Sequence, residues 1–147
     1  MEIEMKVVPS RMLAPLFMAA GIMLAGGAMA HGTGETVTQD FSRVIPNIPG
    51  KSLIAVEVNY APGGASHPHR HAGSAFIYAY VVSGSIVSKV NDGPERVYKA
   101  GESFHEEPGS THPVSRNASK TRPAKLLAVF VADATDTELT TNLATRD

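Results

Sequence analysis

The chain has no cysteine. That excludes a thiol nucleophile, a CxxC redox pair, a disulfide framework and a thiolate zinc site. A metal ion must therefore sit on histidine, aspartate, glutamate or backbone oxygen. An excess of one charge is also missing. Thirteen basic and 14 acidic side chains give a net charge of −1, without the basic excess of a nucleic-acid footprint. Beyond residue 30 no segment carries a convincing helical stripe of apolar residues. With 147 residues, 43% of them hydrophobic, the chain suits one compact domain.

What is present begins with a leader. Lys6 and Arg11 precede an apolar stretch from Met12 to Ala30 that closes on Ala28-Met29-Ala30, a small-x-small pattern. A positive end, an apolar run and such a pattern read as a secretory signal peptide over residues 1–30, with a periplasmic or secreted location as the expectation. The rival is an uncleaved membrane anchor, against which stand Pro15 and the Gly26-Gly27 pair. Contact with a membrane is expected through this segment alone. Without Glu2, Glu4, Lys6 and Arg11 the charge is unchanged, and the lack of cysteine neither supports nor opposes export.

Residues 31–42 are polar and without periodicity, which predicts a flexible mature N-terminus. Over residues 43–132 short β-branched runs alternate with Gly/Pro turns. Ser52–Tyr60, Phe76–Val82, Ser85–Val90, Glu95–Lys99, Ser103–Glu107, His112–Arg116 and Lys125–Ala132 read as strands, and Ala61–Ala75 as a loop or strand edge. Asn91-Asp92-Gly93-Pro94 is a hairpin turn signal in which Asp-Gly accommodates positive backbone angles. The tail, residues 133–147, is Thr-rich, with helical character around Thr137 to Leu143. Such a string of strands predicts an all-β sandwich or small barrel whose alternate side chains point inward.

Five of the six histidines lie between residues 67 and 112, and His67, His69 and His71 alternate. On an extended chain these three share one face. Two can reach one ion, and a third ligand must come from another strand, for which His112 is the natural candidate. Neutral imidazole offers nitrogen to Fe, Mn, Ni, Cu or Zn. The competing reading is an incidental surface cluster.

Residues 63–84 resemble the first motif of the cupin superfamily, Gly-x5-His-x-His-x3-4-Glu-x6-Gly. Gly63, His69, His71 and Gly84 stand at its positions. Residues 101–117 resemble the second motif, Gly-x5-Pro-x-Gly-x2-His-x3-Asn, through Gly101, Gly109 and His112. Glu107 takes the Pro place and Asn117 falls one place late. The resemblance implies a double-stranded β-helix, the cupin jelly-roll barrel, holding one divalent metal ion on His69, His71 and His112. The motif's Glu does not carry over, because counting back from Gly84 reaches Ile77 and counting forward from His71 reaches Ala75, neither of which binds a metal. Either the site has three histidines, as in cupins resembling thiol or diketone dioxygenases, or the metal is weak or absent and the barrel binds something else.

Two more residues are candidates for the site. His67 can substitute for the missing carboxylate, line the mouth of the site or face solvent. Glu106 shares strand parity with Phe104. An inward Glu106 can accept a proton as a catalytic base beside the metal or ligate it, whereas a rim carboxylate would only pair with a basic side chain. His105 has the outward parity. Phe76, Tyr78 and Tyr80 are opposite in parity to Ile77 and are expected to pack or to cover a homodimer interface. Arg116 and Arg122 can attract an acidic ligand or do nothing of the kind.

The resemblance implies a metal-dependent enzyme of the quercetin- or thiol-dioxygenase kind acting on a small organic molecule. The alternatives are a non-catalytic cupin that binds a small molecule or metal, and a non-redox isomerase, since fold alone does not set chemistry. Inward Ile77, Ala79, Val81 and Phe104 point to an uncharged or partly aromatic ligand.

Overall fold

A computed structural model describes residues 32–144. Residues 1–30, read from the sequence as a signal peptide, lie outside the described residues. Among the described residues, no helix is long and apolar enough to cross a membrane.

The elements are strands β1 (Thr33–Val44), β2 (Lys51–Ala65), β3 (His69–His71), β4 (Phe76–Ser83), β5 (Ser85–Lys89), β6 (Arg96–Lys99), β7 (Ser103–Glu106), β8 (Thr111–His112), β9 (Val114–Asn117), β10 (Ala124–Asp133) and β11 (Thr140–Asn142). One antiparallel sheet runs β6-β5-β9-β2-β10-β4-β7, with β1 added along β2, and nearly closes into a barrel. A second sheet, β11-β3-β8, is short. The all-β jelly-roll expectation therefore holds.

Period-two alternation places the core. In β10, Ala124, Leu126, Ala128, Phe130 and Ala132 are buried while their neighbours are half-buried. On the flanking strands Ile54 and Ile77 meet Phe130, and Val56 and Ala79 meet Ala128. Residues facing each other across strands in this way make the interior of a barrel. Ile77, Ala79 and Val81 are inward as expected, and Phe104 packs half-buried against the same core.

Two segments differ from expectation. The stretch expected to be a flexible N-terminus is β1, paired antiparallel with β2 from Val44↔Ser52 to Thr33↔Ala65, with register shifts between Thr33 and Glu35 and between Gln39 and Phe41. Its side chains are mostly exposed, so it carries little hydrophobic patterning, and backbone pairing along β2 holds it instead. The tail contains strand β11 in place of helical character, because Thr140–Asn142 finds partners on β3. Tertiary pairing here overrides weak local preference.

The turn at residues 91–94 forms, but the left-handed residue is Asn91, with φ 50°, not the Asp-Gly pair. Asn91 has a further task. Its backbone N–H donates to Thr111 O at 2.8 Å, and its Oδ1 accepts from Thr111 N–H at 2.9 Å. The hairpin turn thus anchors β8, the strand that carries His112.

Candidate metal centre

The two histidine-bearing segments are drawn together by backbone hydrogen bonds. Gly109, in the left-handed region at φ 73°, turns the chain so that its N–H donates to Ala72 O. His71 N–H donates to Ser110 O at 3.0 Å. The β3–β8 pairing then sets His69 directly opposite His112. Within β3 the alternation buries His69 and His71 and exposes Arg70.

His69, His71 and His112 are buried, and one ligand atom from each lies within 4.8 Å of the others. They are placed to chelate one divalent metal ion. Hydrogen bonds on the far side of two rings prepare them. His69 Nδ1 contacts His67 O at 2.7 Å, which makes Nδ1 the protonated nitrogen and leaves Nε2 with its lone pair. His71 Nδ1 lies 3.4 Å from Thr140 Oγ1. His71 Nε2 is buried with no hydrogen-bond partner. Burial, reinforced by the neighbouring His112, lowers the His69 pKa to about 4, so its imidazole is neutral and ready to ligate at pH 7.

Glu106 completes the cluster. It is 3% exposed, with Oε2 at 3.2 Å from His71 Nε2 and Oε1 at 3.3 Å from His112 Nδ1. Burial alone would raise its pKa. The two adjacent imidazoles outweigh that and hold the carboxyl well below the ordinary carboxylate range. On β7, Glu106 is the register partner of Ile77 on β4. The carboxylate missing from the first motif therefore stands directly across the sheet from the vacated position. His112 has its other nitrogen, Nε2, 2.8 Å from Ser88 Oγ.

The donor set fits a cation. His71 Nε2 and Glu106 Oε2 lie 3.2 Å apart, both buried, without the geometry of a hydrogen bond. A buried polar atom left without a partner is costly, and a cation held between the two groups would satisfy both.

His67 is the exception among the expected ligands. It is exposed and outside the cluster. Pro68 interrupts the alternation and β3 begins only at His69, so His67 contributes its carbonyl and not its ring. His105 is exposed and stacks on Phe76. Arg116 pairs loosely with Glu95 at 3.7 Å. Asn117 is buried and ties loops together, donating to Ala61 O and Arg122 O.

A cavity of about 60 Å³ opens beside the cluster. Val56, Leu126, Ala128 and Phe130 give it an apolar side. Its polar side, missed in the sequence, includes Glu35, Tyr60, Ser66 and Ser115. Glu35 alternates with the apolar lining residue Val37 on the segment read as loose. Tyr60 stands at the end of an expected strand, with nothing local to mark it.

The sequence pattern of one family, described as a cupin domain, matches residues 56–130. Among curated proteins none matches. Several solved structures share the fold. A recombinant oxalate oxidase in complex with glycolate is 26% identical, over 68% of this chain and 52% of its own, with a TM-score of 0.55. This chain thus spans about half of that protein's length. Another oxalate oxidase, in complex with the substrate analogue glycolate, is 22% identical over 89% of this chain and 71% of its own, with a TM-score of 0.56. A cupin-2 domain from Rhodospirillum rubrum is 16% identical over 78% of this chain and 69% of its own, with a TM-score of 0.59.

Proposed function

The chain belongs to the cupin superfamily, and from that premise we propose that it is an exported metalloenzyme. In this reading it binds one divalent ion through His69, His71, His112 and Glu106 and acts on a small oxygenated molecule. The observation that carries the reading is the buried, unpartnered His71 Nε2 facing the Glu106 carboxylate. A bound divalent ion would supply Lewis acidity and, if redox-active, dioxygenase- or oxidase-type chemistry. The chain's own residues do the rest. His67 O and Thr140 orient two of the imidazoles, Glu106 balances the charge, and the apolar wall limits access of water. Glu106 contacts two of the three imidazoles, which favours a ligand over a separate proton acceptor.

Cavity size narrows the substrate. The room beside the cluster is limited, with a cavity volume of about 60 Å³. That favours a small acid or alcohol over a flavonol-sized ligand. The likeness to a glycolate complex of oxalate oxidase supports the same scale. Export rests on the leader alone.

The test is metal content by plasma mass spectrometry, on protein purified without an affinity tag of histidines. Near-stoichiometric iron, copper, nickel or manganese, lost in the His69→Ala/His112→Ala double variant, is the expected result. Zinc alone would turn the reading toward non-redox chemistry. No metal even after reconstitution would overturn it in favour of a metal-free binding protein.

The outer face of the sheet supports a homodimer. Phe41, Ala55, Val129 and Tyr78 form one outward row across β1, β2, β10 and β4, and Leu53, Val131 and Phe76 form the next. Phe41 is 48% exposed, Phe76 41% and Tyr78 45%. An apolar face of this kind on a sheet already buried on its other side fits a second copy of the chain. Tyr78→Lys/Val129→Lys is expected to shift the protein to monomer in analytical ultracentrifugation without loss of fold. A wild-type monomer at high micromolar concentration would sink the homodimer.

A further inference from the structure

The cavity carries a second polar cluster that metal binding does not use. Tyr60 is 2% exposed, and its hydroxyl lies 2.6 Å from Ser66 Oγ and 2.8 Å from Ser115 Oγ. Ser66 Oγ donates to Glu35 Oε1 at 2.5 Å, and the other Glu35 oxygen accepts from Gly32 N–H. All four side chains line the cavity that His69, His71, His112 and Glu106 also line.

Strand β1 is built to deliver Glu35 there. Glu35 is the register partner of Tyr60, after a register shift that follows Thr33. At this shift β1 and β2 come unusually close, since a Cβ on Gly64 would lie 2.4 Å from Gly34 O. Gly34 itself is left-handed at φ 66°. Only glycine at both places permits the approach.

Counting protons fixes the direction of the chain. An ionised carboxylate only accepts, so the single hydroxyl proton of Ser66 goes to Glu35. The Tyr60–Ser66 bond then needs the Tyr60 proton. With that proton committed, Ser115 must donate to Tyr60. The far end of the chain, Ser115 Oγ, therefore offers the cavity lone pairs and no proton. Ser115 is 4% exposed, and its register partner Ser88 contacts His112 Nε2. The accepting end thus lies on the strand pair that also supports the metal cluster. Burial pushes the Tyr60 phenol up to about 12, so it keeps its proton throughout the neutral range.

We propose that Glu35, Ser66, Tyr60 and Ser115 form a hydroxyl-reading subsite, which selects small ligands that donate a hydroxyl proton while another oxygen meets the metal, as 2-hydroxy acids do. The proposal rests on the metal reading above. It also replaces the expected uncharged, partly aromatic ligand with a small hydroxylated one.

The experiment uses the purified protein carrying zinc, its metal content measured beforehand, titrated calorimetrically with glycolate and with acetate. Chelation favours glycolate in every variant, so the readout is the change in the glycolate-to-acetate affinity ratio. Glu35→Gln should lower the ratio by about 3–10-fold, the range of one neutral hydrogen bond. A Gln side chain can donate to Ser66 and reverse the whole chain, so acetate affinity should hold or rise. Tyr60→Phe interrupts the chain and should lower the ratio similarly. Thermal melts identify any variant that fails to fold, and Ser115→Ala then stands in for it. An unchanged ratio in folded, fully metallated variants would overturn the subsite and leave the metal reading intact. Failure to load any metal shows separately in the metal content and would overturn both.

Discussion

Glu106→Gln is expected to weaken divalent-metal affinity by roughly 10²–10³-fold, the scale of removing one charged partner from a buried cluster. The fold should survive, because the amide keeps the shape of the carboxylate. The register supplies a sharper experiment. Glu106 and Ile77 are cross-strand partners with both side chains inward, and Cβ atoms of such pairs stand about 5 Å apart. Exchanging them in Ile77→Glu/Glu106→Ile returns the carboxylate to the position the first motif uses. The exchange should recover affinity to within about tenfold of wild type, on the scale of modest rearrangement in a well-packed interior. Competition with a chelating dye measures all three proteins. Wild-type affinity in Glu106→Gln would remove Glu106 from the ligand set.

This relocation shows where the sequence was readable and where it was not. His69, His71 and His112 were legible because the motif spacing places them on short strands, and alternation does the rest. Glu106 was legible only by parity with Phe104, since nothing local says which inward residue of β7 stands opposite Ile77. That is a matter of register, which is set between strands distant in sequence. His67 follows the same alternation as His69, yet Pro68 ends the run, so of its readings the solvent-facing one holds and the ligand one does not. Glu35 was hidden more deeply. Its strand has little apolar patterning, and its importance comes from one cross-strand partner, Tyr60, and from glycines that allow close approach.

Acidification should destabilise the metal-free protein before most carboxylates titrate. The His69 pKa falls from 6.5 to about 4 on folding, so between those values the unfolded chain binds a proton that the folded one refuses. The His69 contribution is therefore complete above about pH 6.5 and is lost as pH falls toward 4, by an amount on the order of 3 kcal/mol. Glu106, whose pKa is depressed below its ordinary 4.5, acts in the same direction at lower pH. Its contribution is present above that value and disappears on further acidification. Denaturant melts of the chelated protein at pH 7.5, 5.5 and 4.5 measure the effect. The wild type should lose stability mainly between the first and last, and His69→Leu should show a flatter profile over that window. Parallel profiles would mean that His69 does not carry the effect. With metal bound, protons and the ion compete for the same nitrogen, so the ion should leave as pH falls and the holoprotein should lose stability more steeply than the chelated form.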